Sequence, residues 1–118
     1  SMPGHFPFAR VKLIVQFLNQ TFDVHTEEDG LKALTWLQEG NIPDLILTDL
    51  QVPNLDGIEL IKRLKESGYF KDIPVIVLSS KEGSEDRIKC LRLGAEDYMV
   101  KPFNPEELLV RIEKILSR

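Results

Sequence analysis

With 118 residues, 42% of them hydrophobic and 29% charged, the chain is long enough for one domain with a real core and needs no disulfide to hold it. Fifteen basic residues against nineteen acidic ones leave a net charge of -4, which argues against broad electrostatic binding to nucleic acid or to an anionic membrane. A single cysteine, Cys90, suits a reducing compartment, and no apolar run approaches the roughly 18 residues of a membrane span, so a cytoplasmic protein is expected.

Ser1 and Met2 read as an expression remnant at the front of one domain over residues 1–118. Residues 3–7 (Pro, Gly, His, Phe, Pro) are too few and too broken for a buried strand. From Phe8 the apolar positions Phe8, Val11, Val15, Leu18 and Phe22 recur at helical spacing, and Pro7 suits a first turn, which predicts a helix from Pro7 to Asn19. The β-branched stretch from Val11 to Phe17 also reads as a strand, but too few residues then remain for a parallel crossover. Phe22 to His25 is predicted as a short strand. Glu27, Glu28 and Asp29 follow where acids suit a helix start, and Leu31, Leu34 and Leu37, with Ala33 and Trp36, carry that helix to about Glu39 before Gly40 stops it.

Leu45, Ile46 and Leu47 form an apolar run without alternation, as a strand buried on both faces of a parallel sheet requires. Asp49 ends the run, at the strand end where open α/β sheets place their ligands. Pro53, Asn54 and Gly57 punctuate the next loop, and Ile58, Ile61 and Leu64 begin a helix that reaches about Glu66 before Gly68. Pro74 to Leu78 is a second fully apolar strand, followed by Ser79. Ser84 is placed to cap a helix carrying Ile88, Leu91 and Leu93 and ended by Gly94, on which Cys90 reads as a small apolar residue. Tyr98, Met99 and Val100 make the last strand, and Asn104 caps the last helix with Pro105 at its first position. Strands and helices that alternate in this way predict an α/β fold, a doubly wound parallel sheet with helices on both faces.

Asp49, Pro53, Asp56 and Gly57 behind an apolar strand resemble the D-x-x-x-P-x-x-D-G phosphorylation motif of bacterial response-regulator receiver domains. The likeness extends through Pro74 to Ser79, Lys101 with Pro102, and the helix from Pro105, so it covers nearly everything from Phe22 onward. The resemblance implies a flavodoxin-like sheet and five helices, with Asp49 accepting a phosphoryl group from a histidine kinase or phosphotransfer protein. It also implies that the Ser79 hydroxyl bonds a phosphoryl oxygen, and that Lys101 places its ammonium there, ahead of a cis bond to Pro102. Gln51 would lend a backbone carbonyl to Mg²⁺ beside Asp49. Tyr98 would turn inward on activation and change the face made by residues 84–116 for an output domain or protein outside this chain. No direct nucleic-acid contact is implied, and no enzymatic activity beyond catalysis of the domain's own phosphorylation.

Such receivers begin with a strand of the type I-L-I-V-D-D, whose paired acids hold Mg²⁺. No such strand or pair precedes Pro7 here, and His5 and Phe6 occupy the approximate place. The expectation is therefore a sheet with four strands from this chain. Either Phe22 to His25 pairs directly with the central strand, or another chain fills the gap, as in a homodimer. Direct pairing would bring Glu27 or Glu28 beside Asp49 as substitutes for the missing acids. Two rival readings stay open: a pseudo-receiver that works as an interaction module without phosphorylation, and a small flavodoxin-like protein binding FMN or a nucleotide. The second is disfavoured because no Gly-rich phosphate loop follows any strand.

Overall fold

The two apolar runs form the middle of the molecule. In the computed structural model, which describes residues 8–118 apart from Pro53 and Lys81 and side chains from Ile14 onward, β1 (Ile46–Asp49) and β2 (Val75–Ser79) are buried along their whole length. They pair in parallel, with Ile46 opposite Val75 and Asp49 opposite Leu78. β3 (Asp97–Val100) continues the sheet on the far side of β2, with Ser79 opposite Val100, and the order is β1-β2-β3. Parallel neighbours need crossovers. α3 (Gly57–Glu66) and α4 (Ser84–Leu93) supply them, α1 (Phe8–Asn19) and α2 (Gly30–Gln38) lie earlier in the chain, and α5 (Pro105–Leu116) follows β3.

Alternation along each strand sorts the side chains onto two faces. Ile46, Val75, Val77 and Tyr98 pack against Leu34 and Leu37 of α2, Leu60, Ile61 and Leu64 of α3, and Cys90 of α4. Leu47, Ile76, Leu78 and Met99 face the other way, against Leu18 of α1 and Leu108 and Ile112 of α5. Both faces are covered, as the unbroken apolar runs require. Leu64 and Leu108 are fully buried, so truncating either to Ala costs about 2–5 kcal/mol.

Asp29, Asp56 and Asn104 cap α2, α3 and α5 by accepting from backbone N–H groups in the first turn. α4 departs from expectation: its cap position is Gly83, which has no side chain to offer, and Ser84 is its first residue. α4 also turns Ile88 and Leu91 outward while Cys90 is buried.

The expected fourth strand does not form. Among the described residues, Phe22 to His25 makes no ladder and the sheet has three strands. A strand exists through backbone bonds to a partner, and here the local groups are engaged otherwise. Asn19 Oδ1 accepts the Val24 N–H at 3.2 Å. His25 stacks on Trp36 at 4.0 Å with the rings 8° from parallel, and its Nε2 lies 2.5 Å from Glu27 Oε2. A cleft of about 420 Å³ has Phe22, Val24, His25 and Trp36 in its lining together with Leu45 and Leu47 at β1, so direct pairing with the central strand is absent too. The expectations placed on His5, Phe6, Pro7, Pro53 and the side chains of Phe8 and Val11 lie outside the described residues. Among those described, no helix is long and apolar enough to cross a membrane.

Candidate functional site

Asp49 is the last residue of β1, Ser79 is the last of β2, and Lys101 directly follows β3. Parallel pairing puts all three at the carboxyl end of the sheet. The Lys101 backbone N–H donates to the Ser79 carbonyl at 2.7 Å, which carries the ladder one step past β3. The Lys101–Pro102 bond is cis, as the resemblance implies.

Within the strands, alternation puts Asp49 in phase with Leu47 and Ser79 in phase with Val77. Lys101 Nζ donates to Asp49 Oδ2 at 2.8 Å. Their side chains are only 15% and 6% exposed, so this ion pair is screened far less than one at the surface. The other carboxylate oxygen, Oδ1, accepts from the Leu50 backbone N–H at 3.0 Å. The Ser79 hydroxyl and the Tyr98 phenol share a hydrogen bond, and burial pushes the Tyr98 phenol up while that bond pulls it down. Arg87 of α4 lies over the Tyr98 ring, 5.9 Å from its centroid. Asp49, Ser79 and Lys101 thus lie at the same end of the sheet, where an Asp49–Lys101 ion pair and a Ser79–Tyr98 hydroxyl contact are formed.

The rest of the motif has local reasons. The loop after Asp49 is closed by the Gly57 N–H donating to the Leu50 carbonyl at 2.9 Å. A Cβ on Gly57 would lie 2.6 Å from the Asp49 carbonyl oxygen, so only glycine lets the helix start this close to the acid. Asp56 Oδ1 accepts the Glu59 N–H at 2.9 Å and caps α3.

Asp49 is the one buried acid among the described residues. Both its oxygens are engaged, and no group of three or more His, Cys, Asp or Glu assembles among the described residues. Glu27 is turned to His25, and Glu28 and Gln51 are exposed. A hard dication is held through carboxylate and carbonyl oxygens in number. Among the described residues, one paired carboxylate with the Gln51 carbonyl does not fit a resident Mg²⁺.

Sequence reasoning passed over three contacts. The Asn54 amide donates to the Asp29 carboxylate, Arg87 covers Tyr98, and Arg111 donates to both Asp97 oxygens at 2.9 and 2.8 Å, which raises its already high pKa further. Each joins residues far apart in the chain, and no local pattern marks such pairs.

Residues 8–113 match the family model described as the response regulator receiver domain. The chain belongs to that family. It is a receiver of two-component signalling, with the family's flavodoxin-like fold, a parallel sheet and five helices. The receiver is 46% identical over 91 residues to the phosphate regulon transcriptional regulatory protein PhoB of Escherichia coli K12, a match covering 77% of this chain and 39% of PhoB. It is 37% identical over 109 residues to the virulence transcriptional regulatory protein PhoP of Salmonella typhimurium, covering 92% of this chain and 47% of PhoP. The chain thus spans less than half the length of these curated relatives. Among solved structures, a Francisella response-regulator receiver domain matches with TM-score 0.82 and 34% identity, covering 94% of this chain and 91% of that one. The receiver domain of a Pseudomonas aeruginosa sensor histidine kinase, solved with magnesium coordinated in its active-site cleft, matches with TM-score 0.85 and 25% identity over 99% of this chain and 96% of that one.

Proposed function

We propose that the receiver accepts a phosphoryl group on Asp49 from the phosphohistidine of a kinase or phosphotransfer protein. The observation that carries this reading is the Lys101 ammonium 2.8 Å from a carboxylate oxygen at the carboxyl end of β1. A carboxylate oxygen of Asp49 attacks phosphorus, and the O–P bond forms as the P–N bond to the donor imidazole breaks. The electron pair of that bond stays on the imidazole nitrogen, which takes a proton from solvent. Lys101 faces the negative charge on the transferred group as a point charge.

Ser79 supports the product from the end of β2. A serine hydroxyl has one proton and two lone pairs, so once that proton goes to a phosphoryl oxygen instead of the Tyr98 phenol, Ser79 can accept from the phenol and the bond between them reverses. Phosphorylation would thereby tighten a chain from Asp49 through Ser79 to Tyr98, which packs against Arg87 of α4. The consequence is a bias on the α4, β3 and α5 face, where Ile88 and Leu91 are exposed, toward an output domain or protein.

A second reading, a pseudo-receiver that binds partners without phosphorylation, is favoured by the absence, among the described residues, of any group of three or more metal-ligating side chains. Incubation with acetyl phosphate and magnesium chloride, followed by intact mass, separates the two. A gain of one phosphoryl group that is absent in Asp49→Asn supports phosphoacceptance; no gain supports the pseudo-receiver.

A further inference from the structure

We propose that Asp29 and Asn54 are positioning residues for the loop that follows Asp49, and that their side-chain contact pins this loop to the amino-terminus of α2. The inference rests on Asp49 being the phosphoacceptor. Neither residue touches Asp49, and both act through the loop.

Asn54 has φ 69, the one positive φ at a non-glycine residue among those described. Glycine would adopt that backbone more readily. What asparagine adds is an amide, and here it donates to Asp29 Oδ2 across 25 positions of sequence. Asp29 divides its carboxylate between two tasks: Oδ1 caps α2 by accepting the Leu31 and Lys32 N–H groups at 2.7 and 3.3 Å, and Oδ2 holds the loop. The Asn54 bond is the main reason that the Asp29 carboxyl stays below its ordinary range.

The next residues confirm that helix and loop meet backbone to backbone. A Cβ on Gly30 would lie 2.1 Å from the Leu55 carbonyl oxygen. Leu55 itself is buried in the core with Leu34, Leu37 and Leu50. From there the loop is closed by the Gly57 N–H on the Leu50 carbonyl, and the Leu50 N–H donates to Asp49 Oδ1. Asp29, Asn54, Leu55, Leu50 and Asp49 therefore form a continuous mechanical path that starts on a helix and ends on the reacting carboxylate.

Two variants isolate the contact. Asn54→Gly keeps the left-handed backbone and removes the amide, while Asp29→Ser keeps a hydroxyl to cap α2 but has no second oxygen for the loop. Asp29→Asn is the conservative rescue, since its oxygen can cap and its amide can meet a flipped Asn54. Acetyl phosphate dependence of the phosphorylation rate and amide hydrogen exchange at Leu50 and Gly57 are read on each full chain. Asn54→Gly and Asp29→Ser are each expected to lower the maximal rate on the order of fivefold, with the half-saturating concentration little changed, and to speed exchange at both amides. The double variant should be no worse than either single, and Asp29→Asn should return to within about twofold of the parent. Unchanged exchange at Gly57, or additive losses in the double variant, overturns the inference. If the parent takes up no phosphoryl group but the exchange pattern appears as stated, the clamp stands and the proposed phosphoacceptor function falls.

Discussion

The Ser79 hydroxyl at the end of β2 and the Tyr98 phenol of β3 are hydrogen-bonded to each other, while the Lys101 ammonium just beyond β3 is bonded to the Asp49 carboxylate. The charge that would receive a phosphoryl group and the hydroxyl relay that would report it thus lie at the ends of neighbouring strands. Only a group placed at the strand ends can touch both.

Tyr98→Phe removes the relay without changing the packing volume. It should destabilise the receiver by about 1 kcal/mol, the usual net worth of such a bond, as read from urea unfolding near neutral pH. The alkaline behaviour should change as well. The folded state holds the phenol proton more tightly, because burial raises its pKa, so the unfolded chain ionises first and stability falls as pH rises past about 10. That part of the alkaline loss should vanish in Tyr98→Phe. The comparison belongs in a Cys90→Ala background, since burial also pushes the Cys90 thiol up and adds a loss of the same sign.

Lys101→Met leaves a carboxylate that is almost fully buried without its cation. The expected cost is about 3 kcal/mol in urea unfolding. Adding Asp49→Asn in the same chain should restore most of it, since the double variant buries no unpaired charge. A single variant as stable as the parent would show that the 2.8 Å pair contributes nothing to folding.

Gly30→Ala should destabilise by more than 1 kcal/mol, although Ala is the better helix former, because the new methyl meets the Leu55 carbonyl at 2.1 Å and backbone must move. Gly68→Ala is the control. Nothing lies within 4 Å of its added Cβ, so a change between neutral and about 1 kcal/mol stabilising is expected from the stiffer unfolded chain.

Calorimetric titration with magnesium chloride should show no saturable site up to about 10 mM, because one carboxylate already paired with an ammonium is a poor ligand set for a hard dication. A one-site isotherm that disappears in Asp49→Asn would show that Asp49 and the Gln51 carbonyl suffice.

The central strands and the acid were legible because their signals are local. An apolar run without alternation has to be buried on both faces, and Asp49 ends such a run. Lys101 was legible through its proline, and Asn104 and Pro105 through the chemistry of helix starts. The segment from Phe22 to His25 misled for the opposite reason. β-structure is a property of a pair, and nothing in that segment announces whether a partner lies beside it; the cleft there is lined by His25 stacked on Trp36. Ser84 looked like a cap but lies one residue too late. The Asp29 and Asn54 contact was invisible for a third reason: each residue already had a sufficient local explanation, one as a cap and one as a turn former.

The distance along the chain between Asp49 and Lys101 has a kinetic consequence. The acid enters its strand early during synthesis, while its counter-ion arrives only with the last strand, 52 positions later. Until β3 docks, the nascent domain holds the Asp49 carboxylate without its Lys101 partner, since a non-local contact forms only after the intervening chain is in place. On the proposed reading of Asp49 as phosphoacceptor, competence to take up phosphate is a late-maturing trait, and chains stalled before the crossover to β3 would lack it however compact they had become.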